Sequence, residues 1–244
     1  MSSLKVHFIQ QEPSVRPGEY LAWAERHGYE TSFTKCWEEG DFPEPADVPD
    51  VLIVLGGPQN PGTTREECPH FDAAAECAYI LRCIDAGKVV VGSCLGAQLM
   101  GRVFSGWYSV SPEREVGSFP VHLTEEGRKD PFLRTFPDPF LTAECHNDMM
   151  NLGPDSVVLA TSEGCPRQIV RYGKLAYGLQ CHIEFNRGIV ADLAEEMEDL
   201  LREGGRFVWT KEELLAYDYT DMNKLLSDFL DAIVAEYGQS RGKE

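Results

Sequence analysis

Across roughly the first hundred residues, apolar strand-like runs alternate with stretches of helical periodicity, and this alternation restricts the fold more than any other feature. Leu4–Ile9 reads as a first strand, Gly18–His27 as a helix, Tyr29–Lys35 as a second strand, and Val51–Leu55 as a buried third strand running into Gly56-Gly57-Pro58. Cys77, Ile80, Leu81 and Ile84 then recur at helical spacing, with Gly87 as the stop signal. Val89, Val90 and Val91 form the next strand and deliver Cys94 at its carboxyl end. Strands separated by helices cannot pair as hairpins, so the pattern predicts an α/β fold with a mostly parallel sheet and helices on both faces. In such folds sites form beyond the carboxyl ends of the strands.

From about Val116 to Gln180 the pattern changes to short β-rich pieces separated by Gly, Pro and Asp: VGSFPVHLT, FLTAECH, SVVLATS, RQIVRYG and LAYGLQ. They predict an extension of the sheet or an antiparallel addition to it. Val190, Leu193, Met197, Leu200 and Leu201 mark a helix ending near Gly204-Gly205. Thr210 and Glu213 have capping-box spacing, and Met222, Leu226, Phe229, Leu230 and Ile233 mark a last amphipathic helix. No repeat, low-complexity tract or linker separates these segments, which predicts one domain over 1–244 with a helical C-terminal extension over about 186–237.

Charge and cysteine usage bound the partners. With 22 Lys and Arg against 40 Asp and Glu, the net charge is −18, a surface that repels nucleic-acid phosphates and anionic lipid headgroups. No signal-peptide h-region opens the chain and no run of about eighteen apolar residues occurs, so a soluble, cytoplasmic protein is expected. The eight cysteines lie at irregular spacings with no CxxC pair, which predicts reduced core thiols rather than disulfides. Cys145-His146 and Cys181-His182 offer zinc-ligating residue types, but paired-ligand spacing is missing, and no metal or cofactor is expected.

The chemistry starts at Cys94. Gly92 and Gly96 bracket it in a GxCxG analogue of the GxSxG nucleophile elbow, where small neighbours permit a strained strand-to-helix turn. A helix starting at Gly96 or Ala97 would aim its N-terminus at the thiol, and the Leu95 amide would face a developing oxyanion. Gly57, at the end of the neighbouring strand, supplies a second amide where a side chain would obstruct.

A thiol near its ordinary pKa needs a base, and His182 fits, with Glu184 two residues on. In an extended segment both side chains point to one side, so the carboxylate can hold the imidazole tautomer. The order nucleophile, histidine, acid differs from the nucleophile, acid, histidine order of α/β-hydrolases.

Together, GSCLGAQ, LGGP and QCHIE resemble the class I (triad) glutamine amidotransferase family, near the glutaminase domain of GMP synthase, over about Val6 to Phe185. The resemblance implies a flavodoxin-like three-layer fold, Cys94 as nucleophile, His182 and Glu184 as base and orienting acid, and Gly57 and Leu95 as oxyanion-hole amides. It also implies substrate contacts from Gln98 and, where relatives carry SHxD, from His146, Asn147 and Asp148. Arg114-Glu115-Val116-Gly117 resembles a segment that follows the nucleophile helix in relatives. Two departures stand out: Ile183 replaces a proline common between the His and Glu, and Cys145 replaces the serine of SHxD.

The implied reaction is attack of the Cys94 thiolate on the γ-carboxamide of glutamine, loss of ammonia protonated by His182, and hydrolysis of the γ-glutamyl thioester. The chain has no GxxxxGK[ST] phosphate loop, so ammonia either goes to a separate synthase subunit or is released by a free-standing hydrolase. Three readings stay open: an amidotransferase or glutaminase component of a synthase, a hydrolase of larger γ-glutamyl amides or peptides, and a non-catalytic interaction protein on the same fold. The segments Pro58–His70 and Ser105–Gly117 are candidate lids or surface connections. The oligomeric state is left open by the sequence.

Overall fold

The computed structural model describes residues 3–38, 42 and 47–241, so the two ends of the expected 1–244 unit lie outside the described residues. One nine-stranded sheet organises them. Its parallel half consists of β1 (Lys5–Gln10), β2 (Glu30–Lys35), β3 (Val51–Val54), β4 (Val89–Ser93) and β9 (Ala176–Leu179). These pair in the spatial order β2-β1-β3-β4-β9, the strand order of flavodoxin-like sheets.

The inner parallel strands β1, β3, β4 and β9 are buried on both faces, whereas edge strand β2, ETSFTK, has no fully buried residue. In β3, Val51 and Ile53 enter one core with Val6, Phe8, Tyr20 and Trp23, while Leu52 and Val54 enter the other with Ile9, Tyr79 and Ile80. Helix α1 (Glu19–Arg26) and the long α8 (Thr220–Arg241) cover the first face; α2 (Ala73–Asp85) and α3 (Leu95–Ser105) cover the second. Each such fully buried side chain is worth about 1.5–3 kcal/mol relative to exposure, so the three layers stabilise one another.

The rest of the sheet is antiparallel: β8 (Ile169–Gly173), β7 (Val157–Ser162), β5 (Tyr108–Leu123) and β6 (Phe140–Met150) follow β9 in that order. Two expectations change here. The piece LAYGLQ is the fifth parallel strand rather than part of the addition, because Ala176–Leu179 pairs with Val90–Ser93. Strand β5 begins at Tyr108, well before Val116, so the segment 105–117 lies largely within that strand, paired at 108–110 and 115–117, rather than forming a lid. A register shift between Val110 and Glu115 accommodates Pro112, which cannot donate to the ladder. Short α4 (Glu125–Lys129), capped by Thr124, has no apolar periodicity to announce it.

The C-terminal helices also differ in detail from the single helix expected over Val190 to Leu201. The chain forms α5 (Arg187–Glu196) and α6 (Glu198–Glu203), broken at Met197. The capping box predicted at Thr210 and Glu213 opens α7 (Lys211–Ala216) with both reciprocal hydrogen bonds in place. Among the described residues no helix is long and apolar enough to cross a membrane.

Candidate active site

Cys94 is the only non-glycine described residue with positive φ, at φ 49° and ψ −107°. An L-residue pays of order 1–3 kcal/mol for such backbone, which persists only where its surroundings force it. Two glycines do the forcing. A Cβ on Gly92 would lie 2.5 Å from the Gly96 carbonyl carbon, and one on Gly96 would overlap the Val54 carbonyl. The helix therefore starts directly against β3 and β4. It begins at Leu95, ahead of the expected Gly96 or Ala97, with Cys94 itself at the N-cap and its amide donating to Leu179 O at 2.8 Å. As the first helical residue, Leu95 has an N–H with no intrahelical acceptor.

His182 and Glu184 arrive from just beyond β9. The chain does not continue as an extended strand there: it turns at Ile183 and Glu184 after a single bridge between His182 and Ala143. The pairing survives because His182 Nδ1 sits 2.7 Å from Glu184 Oε1. Several contacts fix this corner. The Ser93 hydroxyl donates to the same Oε1 at 3.1 Å, and Phe185 stacks on the imidazole with centroids 4.2 Å apart. A Cβ on Gly18, at φ 53°, would overlap the Glu184 carbonyl, whose oxygen accepts from Glu19 N at 3.0 Å.

Ile183 is buried in the main core, and the Asn223 side-chain amide donates to both Ile183 O and Phe185 O at 2.9 Å. A residue of α8 thus holds the turn from both sides of Glu184. Neither Ser93 nor Asn223 emerges from the sequence reasoning. Ser93 carries a signal in its place immediately before the thiol; Asn223, forty residues downstream, carries none.

Thiol and imidazole meet over Gly56: a Cβ there would touch Cys94 Cβ at 3.4 Å and His182 Cε1 at 3.5 Å. His182 Nε2 is buried without a partner of good hydrogen-bond geometry, so it remains available to the thiol. Burial lowers the imidazole pKa, but the Glu184 charge, then the Cys94 thiol and the Glu184 hydrogen bond, outweigh it and hold the pKa well above the usual value.

These groups open on a cavity of about 530 Å³ that also receives Gly57, Gln98, His146, Asn147 and Asp148. Gly57 has no room for a side chain, since a Cβ would lie 2.9 Å from Leu95 Cδ2. The Gln98 amide reaches Gln180 Oε1 at 3.5 Å and its Oε1 has no partner. Asn147 is exposed and Asp148 half-buried; burial raises the Asp148 pKa, partly offset by His146.

His146 has the most constrained setting of the set. Its Nε2 lies 3.2 Å from Glu115 Oε2 and 3.1 Å from Glu144 Oε2, all three side chains fully buried. Burial opposes protonation, but the two carboxylates push the imidazole pKa up to about 9. Ser162 and Gln168 hold Glu115, and Thr142 holds Glu144. This network anchors the strand whose Cys145 carbonyl lies 3.9 Å from Cys94 Sγ. Glu115 belongs to the Arg114–Gly117 segment singled out in the sequence; Glu144 does not.

The outer wall has no counterpart among the sequence expectations. Ile189, Asp192, Leu193, Glu196, Met197 and Leu200, from α5 and α6 and the break between them, line the cavity opposite the elbow. Arg16 reaches Asp192 across the rim. All eight cysteines are free thiols.

Comparison with known proteins bears directly on this arrangement. Residues 24–190 match the family model for glutamine amidotransferase class-I. The glutamine amidotransferase-like protein YfeJ of Salmonella typhimurium is 42% identical over 240 residues, 97% of this chain and 100% of that protein. The crystal structure of SMU.1228c, 41% identical, has a TM-score of 0.91 and covers 95% of this chain and 100% of its own. One of the subunits of the glutamine-hydrolyzing GMP synthase of Pyrococcus abyssi is 31% identical over 157 residues, 63% of this chain and 73% of that relative. With an elbow cysteine, a histidine–glutamate pair beyond β9 and a family match over most of its length, the chain belongs to the class I glutamine amidotransferase family.

Proposed function

We propose that the protein hydrolyses the γ-amide of glutamine, or of a larger γ-glutamyl compound, through a thioester on Cys94. The observation that carries this reading is the strained elbow at Cys94 facing an imidazole whose far nitrogen is 2.7 Å from Glu184. Strained backbone at a thiol has a use when the sulfur must be presented to a substrate carbon.

In the proposed reaction the Cys94 thiolate attacks the γ-carbonyl carbon, and the oxyanion is held by the amides of Leu95 and Gly57. His182 gives its proton to the departing nitrogen, so ammonia or an amine leaves and a γ-glutamyl thioester remains. His182, now neutral, takes a proton from water, which attacks the thioester and releases glutamate and the thiolate. Glu184 keeps Nδ1 protonated throughout. Gln98, Asn147 and Asp148 are proposed to hold the α-amino and α-carboxylate end, while His146, pinned between Glu115 and Glu144, positions their strand.

The size and wall of the cavity favour the larger substrate as a second reading. About 530 Å³ falls within the range of roughly 300–1,000 Å³ typical of drug-sized ligands and exceeds what one amino acid needs. The Pyrococcus relative bears the name of one subunit of a multi-subunit GMP synthase, which supports the other arrangement, in which ammonia passes to a separate synthase partner. Assay of glutamate release from L-glutamine and from γ-glutamyl amides and peptides tests both. Cys94-dependent release from glutamine supports the amidotransferase arrangement, release only from larger conjugates supports the hydrolase, and release unaffected by Cys94→Ala refutes the mechanism.

A further inference from the structure

We propose that Glu12, Cys68 and His70 form a binding site for a thiophilic divalent cation such as Zn²⁺, which ties the Gly57 loop to the end of β1. The three side chains come from two loops, one leaving β1 and one joining β3 to α2, and their donor atoms lie within 4.8 Å of one another. His70 Nε2 is 2.7 Å from Glu12 Oε1 and 3.4 Å from Cys68 Sγ. Tetrahedral zinc with bonds of about 2.0 Å to nitrogen and 2.3 Å to sulfur puts those two atoms about 3.5 Å apart, close to the spacing present. His70 Nε2 and Glu12 Oε1, 2.7 Å apart, need to separate by only about half an ångström to share such an ion.

A positive partial charge already sits beside two of the three donors. The Gln59 amide nitrogen lies 2.5 Å from Glu12 Oε1 and 3.3 Å from Cys68 Sγ and donates to both. Gln59 Oε1 is buried and has no hydrogen-bond partner. Reversing the amide therefore breaks no bond at that oxygen and presents it as a fourth ligand beside the oxygen, sulfur and nitrogen donors. A carboxylate and a thiolate together neutralise a divalent ion.

A bound cation has a place to act, because Gly57, Pro58 and Gln59 of the same loop line the cavity with Cys94. All three ligands are partly exposed, so an ion has a path in from solvent.

The proposal stands apart from the amidase reading, and its test does not measure turnover. The full chain, stripped of metal and carrying Cys94→Ala to remove the thiol beside His182, is titrated with Co²⁺. One equivalent is expected, with a thiolate-to-cobalt charge-transfer band that Zn²⁺ displaces. Adding Cys68→Ser should erase the band, and His70→Gln or Glu12→Gln should weaken binding at least about tenfold. Circular dichroism establishes that each variant is folded; should Cys68→Ser fail to fold, the His70→Gln titration decides. Absence of uptake, a band that survives Cys68→Ser, or unchanged affinity in His70→Gln would overturn the site.

Discussion

The parallel and antiparallel halves of the sheet do different work at the cavity. The parallel half brings the elbow, the Gly57 loop and the histidine–glutamate corner to the carboxyl ends of β3, β4 and β9. Strand β6 of the antiparallel half and the helices α5 and α6 build the opposite wall. The first set is dictated by contacts that admit almost no alternative, such as a glycine against a carbonyl. In the second, β6 is held by the buried His146–Glu115–Glu144 network, while the cavity-lining residues of α5 and α6 are side chains on helix surfaces. Changes at the elbow and the histidine–glutamate corner should therefore cost most, while changes in α5 and α6 should tune which substrate enters.

The sharpest way to break this contrast is Cys94→Ala, expected to lower turnover by about 10⁶-fold while leaving the melting temperature within a few degrees. Retained turnover in a steady-state assay would remove the nucleophile assignment. Glu184→Gln should cost about 10²–10⁴-fold in kcat with little change in KM, because the acid orients and stabilises the imidazolium without bonding to substrate. A loss equal to that of Cys94→Ala would give it a more direct part.

Gly96→Ala sharpens the contrast through stability. A Cβ there overlaps the Val54 carbonyl, so urea unfolding should register at least about 3 kcal/mol, with activity lost alongside. An alanine variant as stable as the parent would refute the claim that close approach of α3 to β3 forces the elbow.

Stability should also follow pH in a stated direction. Burial, reinforced by Asp72 against the opposing Gln11 hydrogen bond, raises the Glu76 carboxyl from 4.5 to about 8. The folded chain thus binds a proton the unfolded chain has released, and stability falls as pH rises from 4.5 to about 8. His146 acts in the same sense higher up: its contribution is present in full below pH 6.5 and lost as pH rises to about 9. Melting curves recorded from about pH 5 to 9 should decline, and Glu76→Gln should recover up to a few kcal/mol at the alkaline end. A variant with the parent's slope would contradict the assignment.

The smallest effect expected is at Asn223. Removing its two hydrogen bonds with Asn223→Ala should lower kcat about tenfold, through a looser His182–Glu184 corner, with KM unchanged. An unaltered kcat would mean that burial of Ile183 alone holds the turn.

What can be read from the sequence divides along the same line as the sheet. Strands β1, β3 and β4 are legible because each is a largely apolar run set off from its neighbours, and β2 because Thr and Phe recur in a short extended piece after the first helix. The elbow is legible because its glycines are local to Cys94. LAYGLQ is misplaced by sequence reasoning because a short apolar run carries no sign of whether its partner is Val90, far upstream, or the adjacent β8. The start of β5 is hidden by Ser, Pro and Glu in a strand with one polar face. The wall from α5 and α6, the Asn223 clasp and the Glu12–Cys68–His70 cluster depend on residues brought together only by the finished fold.

The most direct test of the account is glutamate release by the purified chain from L-glutamine and from a series of γ-glutamyl amides of increasing size, with Cys94→Ala in parallel. The account predicts release from at least one member, abolished by the substitution, with the preferred size set by the wall from α5 and α6. Release that persists without the Cys94 thiol, or no release from any γ-glutamyl compound by a folded chain, would contradict it.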